Sequence, residues 1–88
     1  MPTVTVSLPP SLTAPEPAAE VVCEASTVAE ALRAVVAQAP RYAQRIFYKE
    51  RPLVSVVLDG RHLPPSEALD TEITAGARLE LLTPVAGG

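Results

Sequence analysis

The chain has 88 residues, 48% of them hydrophobic and 19% charged, with a formal net charge of -3. That length suits one small domain with a packed core and leaves little room for a deep catalytic cavity, and the acidic balance, with three aromatics that interleave with no basic stripe, argues against nucleic acid as a partner. The single cysteine excludes an internal disulfide framework, no apolar run is long enough to span a bilayer, and Met1-Pro2 lacks the basic-then-apolar order of a signal peptide, so a cytoplasmic protein without membrane attachment is expected.

Thr3 to Leu8 alternates, with Val4, Val6 and Leu8 on one face, and predicts a strand that Pro9 and Pro10 end. Ser11 to Ala19, with Pro15 and Pro17, reads as an irregular connection, and Glu20 to Ala25 as the antiparallel return strand. Thr27 and Glu30 form a capping box that opens a helix. Its apolar stripe of Val28, Ala31, Leu32, Val35, Val36 and Ala39 lies along one face, and Pro40 closes it. Arg41 to Phe47 predicts a second short helical turn. Leu53 to Leu58 is the strongest strand, followed by an Asp59-Gly60 turn and a brief edge strand over Arg61 to Leu63. Pro64 and Pro65 force a loop, Ser66 to Leu69 suits one helical turn, and Ala75-Gly76 turns into a last strand over Arg78 to Thr83.

Hairpin, long helix and further strands give an α+β domain: a mixed sheet of four to five strands with one main helix packed on one face, the order of a ubiquitin-like β-grasp. In that fold the first and last strands are neighbours. Residues 1–83 form the domain, and 84–88 a flexible C-terminal Gly-Gly tail. Pro84 cannot donate to a ladder and so releases Val85, Ala86, Gly87 and Gly88. Glycines without a β-carbon suit a chain that threads a narrow channel and presents its carboxylate there; a frayed end is the alternative. In the last strand Leu79 and Leu81 point inward while Leu82 falls on the outward face. With Val57 it forms an apolar docking patch, or else it is an ordinary exposed leucine.

Other reactive residues read as structural. Cys23 suits a small core position better than a thiol relay, and His62 has no cluster of partners at metal-ligand spacing, so no metal is expected. Glu67, Asp70 and Glu72 suit a solvated loop or the steering of a basic partner. One histidine and one cysteine assemble no convincing catalytic triad.

The ending LTPVAGG, the preceding LDTEITAGARLEL, the strand and turn VSVVLDG and the capped helix TVAEALRAVV together resemble the ubiquitin-like sulfur carriers, which include the small subunit of molybdopterin synthase and the thiamine sulfur carrier. The segment PRYAQRIFYKERP and the proline-rich first loop are similar to the molybdopterin branch or to the carrier for cysteine synthesis. Ala75, Ala77 and Arg78 stand where the family often has acidic residues, and Thr83 where proline is frequent, differences expected to act on partner choice. The resemblance implies a protein co-substrate, not an enzyme. An ATP-dependent adenylating enzyme activates Gly88, and a sulfur donor such as a sulfurtransferase or cysteine desulfurase converts it to a thiocarboxylate. A biosynthetic enzyme then takes the sulfur, for molybdopterin, cysteine, thiamine or a secondary metabolite. No cofactor is bound by the carrier itself; ATP belongs to the activating enzyme. On this reading Pro84 to Gly87 thread the channel, and Leu82 and Val57 bind the partner. A protein modifier conjugated through Gly88 and a plain β-grasp interaction module are the other two classes open to this sequence.

Overall fold

The computed structural model describes residues 1–48, 51–52 and 54–82. Strand β1 (Thr3–Leu8) pairs antiparallel with β2 (Ala19–Glu24). Between them the chain carries a short helix, α1 (Pro10–Thr13), in the stretch expected to be irregular. Pro10 occupies its first turn, where a missing N–H costs nothing, so the double proline both ends the strand and starts this helix. Leu12 and Thr13 are buried by it.

Helix α2 (Val28–Gln38) begins as the sequence requires. The Glu30 N–H donates to Thr27 Oγ1 at 3.3 Å, while the Thr27 N–H donates to Glu30 Oε1 at 3.1 Å. Val28, Ala31, Leu32 and Val35 are buried along its inner face. The next free amides of the helix, those of Val28 and Ala29, donate to the carbonyls of Thr71 and Leu69, so the later loop closes over the helix start. A 3-10 turn (Pro40–Tyr42) and α3 (Ala43–Ile46) follow, as expected after Pro40, and bury Tyr42 and Ile46.

Two short strands, β3 (Phe47–Tyr48) and β4 (Arg51–Pro52), make an antiparallel ribbon that the sequence did not announce. Strand β5 (Ser55–Leu58) takes up most of the strong apolar run, with the buried Val54 in a bend just before it; Leu53 lies outside the described residues. Asp59 at φ 49° and Gly60 at φ 84° form the turn to the edge strand β6 (Arg61–Leu63), with both central residues left-handed as a two-residue hairpin requires. Helix α4 (Pro65–Ala68) and a turn with Gly76 at φ 78° lead to β7 (Ala77–Leu82).

The main sheet has five strands in the order β2-β1-β7-β5-β6. β1 and β7 run parallel at its centre and the other pairs are antiparallel, which is the expected ubiquitin-like β-grasp. Val4, Val6, Leu8, Val56, Leu79 and Leu81 form the inner face of the core, against α2. Among the described residues no helix is long and apolar enough to cross a membrane.

Candidate functional site

Alternation along β7 sends Leu79 and Leu81 into the core and leaves Arg78, Glu80 and Leu82 on the face away from α2. Leu82 is 44% exposed and is the last described residue of the strand. The register places it opposite Ser55, and Val57 opposite Glu80, so Leu82 and Val57 are diagonal neighbours on one outer face of adjacent strands. Val57 is half-buried there, with His62 of the edge strand on its other side. Pro84, Val85, Ala86, Gly87 and Gly88, the expected threading and reacting residues, lie outside the described residues, as does Thr83.

The outer face carries a charged cluster beside Leu82. The Arg78 guanidinium donates from Nη2 to Ser7 Oγ at 2.9 Å and to Glu20 Oε2, and its Nε lies 4.0 Å from Glu80 Oε1. Register explains the gathering: Ser7 stands opposite Glu20 on one side and Glu80 on the other, while Arg78, opposite Thr5, is two residues before Glu80 and so on the same face of β7. The backbone of Arg78 is fixed too, since its N–H donates to Asp59 Oδ1 at 2.9 Å and its carbonyl accepts from the Asp59 N–H at 2.9 Å. Ser7, Glu20, Arg78 and Glu80 line one side of a groove of about 320 Å³, whose other walls include Pro9, Ala18 and Leu82. Outward alternation of Arg78 and Glu80 was legible in the sequence. Their meeting with Glu20 and Ser7 was not, because it depends on the exact register among β2, β1 and β7, which the order of elements leaves open.

A second polar cluster holds the α1 loop against the turn after α2. Glu16 accepts from Arg41 Nε and Nη2 at 3.1 and 3.0 Å and from the Tyr42 hydroxyl at 2.8 Å. These bonds, the one from Arg41 foremost, hold the Glu16 carboxyl below its ordinary pKa and raise that of Arg41. Arg45 donates to the carbonyls of Leu12 and Ala14, both at 2.7 Å. Glu16, Arg41 and Tyr42 are bonded to one another and Arg45 to the main chain of the α1 loop, so the cluster is a clasp between these segments.

Cys23 is buried, and burial pushes its thiol pKa up, away from the thiolate a sulfur relay needs. His62 is exposed. Glu67, Asp70 and Glu72 are exposed, and among the described residues no three ligand-type side chains are grouped to hold a metal.

A family model described as the ThiS family matches residues 11–88. No curated protein sequence matches the chain. Among solved structures, it resembles a chain of the Amycolatopsis orientalis BexX/CysO complex, with a TM-score of 0.73 and 28% identity over 97% of this chain and 99% of that one. It also resembles small archaeal modifier protein 1 of Methanosarcina acetivorans, with a TM-score of 0.77 and 21% identity over 100% and 98%. A chain of the complex of subunits 1 and 2 of the Helicobacter pylori molybdopterin-converting factor gives a TM-score of 0.62 and 20% identity over 98% and 99%. At those identities the last two likenesses establish the fold.

Proposed function

Because the chain belongs to the ThiS family, whose model spans residues 11–88, we propose that it is a ubiquitin-like sulfur carrier loaded at the carboxyl group of Gly88. The observation that carries this reading is the family match extending through Gly87 and Gly88, on a domain whose last strand is fixed at the centre of the sheet. Central placement makes the sheet end a rigid base for the segment that follows.

The chemistry follows from the poor electrophilicity of a carboxylate. An adenylating enzyme directs the Gly88 carboxylate oxygen onto the α-phosphate of ATP, pyrophosphate leaves, and the acyl carbon gains a good leaving group. A hydrosulfide equivalent from a donor enzyme adds to that carbon and expels AMP. The product is a Gly88 thiocarboxylate, whose sulfur is a softer nucleophile than oxygen. This chain contributes the acyl group and the docking surface; catalytic acids, bases and metal ions belong to its partners, and ATP is bound by the activating enzyme. Leu82 and Val57 hold the outer face on the partner, and Pro84 to Gly87 carry Gly88 into its channel. Two of the similar structures are complexes, one named BexX/CysO and the other joining two subunits of a molybdopterin-converting factor, which favours a chain that works in association. The sulfur acceptor is a biosynthetic enzyme in the cytoplasm.

Deletion of Gly87 and Gly88 tests this. The intact chain is expected to support ATP–pyrophosphate exchange by its organism's adenylating enzyme, and the shortened chain to support none. Equal exchange with both chains sinks the proposal.

A further inference from the structure

We propose that the free edge of β2 takes an extended segment of a partner protein as a sixth strand of the sheet, one that sets an apolar side chain beside Val22 and a basic one beside Glu24. The inference stands on the sheet geometry alone and does not depend on the carrier reading.

The backbone supplies the first argument. With the order β2-β1-β7-β5-β6, no strand lies on the far side of β2 among the described residues. The Ala25 N–H donates to the Pro2 carbonyl at 2.9 Å, which makes these two residues a bonded pair at the end of the β1–β2 ladder. Bonded and non-bonded pairs alternate along antiparallel strands, so Cys23 and Val21 are bonded to Val4 and Val6, while Glu20, Val22 and Glu24 turn their N–H and C=O groups outward. Gln38 of α2 marks that direction: its Nε2 donates to the Val22 carbonyl at 3.3 Å, as the amide of an added strand would.

The two edges of the sheet differ. β6 has three residues, held between the Asp59-Gly60 turn and Pro64, whereas β2 has six and contains neither proline nor lysine. Short length and such residues are how an edge is closed to pairing. β2 is the open one, and Val22 in its middle is 59% exposed.

Side-chain chemistry selects the occupant. Glu20, Val22 and Glu24 share the outer face by alternation. Glu20 is bonded to Arg78, but Glu24 is exposed and pairs with no cation among the described residues. A second copy paired antiparallel about Val22 sets each Glu20 against a Glu24, so like charges oppose self-pairing. A strand with lysine or arginine at those positions gains opposite-charge pairs instead. On the inner side stand Val21 and, one turn before Gln38 on α2, Ala34, both half-buried beside the core; apolar residues of the added strand fit against them. β1 separates this edge from β7, so a strand added here leaves the outer face of β7 and β5 uncovered.

The test titrates the isotope-labelled full-length chain with the peptide acetyl-TKVVVKT-amide, which alternates lysine, valine and lysine on one face, and follows backbone amide shifts. The expected result is saturable shifts over Glu20 to Glu24 and Gln38, with slowed hydrogen exchange of the Val22 N–H. The peptide acetyl-TEVVVET-amide is expected to bind about tenfold more weakly, and Glu24→Lys to narrow or reverse that preference. Gln38→Ala, which frees the Val22 carbonyl, is expected to tighten binding about threefold. Thermal unfolding of both variants separates lost docking from lost fold. Shifts centred on Leu82 and Val57, or none at millimolar peptide, overturn the edge site. Equal binding of the two peptides overturns the basic occupant, and dimerisation of the chain alone through the same amides makes a second copy the occupant. Each of these outcomes leaves the loading of Gly88 untouched, so the two proposals fail separately.

Discussion

Glu16 shows how one side chain ties distant segments together. Its carboxylate is bonded by Arg41 and Tyr42, 25 and 26 residues away, and so joins the α1 loop to the turn after α2. A folded-state pKa held below the ordinary carboxylate value contributes stability that is present above that value, about 4.3, and is lost as pH falls through the lowered one. Glu16→Gln is therefore expected to lower the melting temperature at neutral pH and to flatten its decline below about pH 4; an unchanged acid limb removes the clasp from the account. Cys23 gives a prediction of the opposite kind. Buried and with its pKa raised, it is expected to resist iodoacetamide in the folded protein and to react on unfolding in urea. Rapid native-state alkylation would mean that the strand opens.

Among the elements, α2 was the most legible, since cap, stripe and terminator all pointed the same way. Thr27, Glu30, the buried inner face and Pro40 each occupy the expected role. Removing the cap by Thr27→Ala is expected to cost about 1 kcal/mol in urea unfolding, with the midpoint shifting and the slope unchanged. No shift at all would leave the helix start held by the Thr71 and Leu69 carbonyls alone. Helix α1 was missed because Pro9 and Pro10 were read only as terminators, although proline also suits the first turn of a helix. The β3–β4 ribbon was missed for another reason. Its strands are two residues each and one contains Pro52, so neither alternation nor propensity had enough length to register.

At the scale of the molecule, the sequence carried the topology through the order of its elements, and the parallel neighbours β1 and β7 follow from it. The outward Leu82 was visible as one break in alternation. The charged groove beside it was hidden, because Ser7, Glu20, Arg78 and Glu80 meet only once three strands are aligned. This arrangement separates a buried core of aliphatic side chains, which sets the fold, from an outer sheet face and a central last strand, to which the proposed carrier reading assigns docking and the approach to Gly88.

The proposed carrier stands or falls on sulfur loading of Gly88. Its most direct test is the intact mass of the purified protein after incubation with the adenylating enzyme, ATP and sodium hydrosulfide. The expected result is a gain equal to the difference between sulfur and oxygen, absent without ATP and absent from a chain lacking Gly88. Adenylation without that gain, accompanied by isopeptide-linked conjugates, would contradict the carrier and make the chain a protein modifier; no adenylation would leave a β-grasp interaction module.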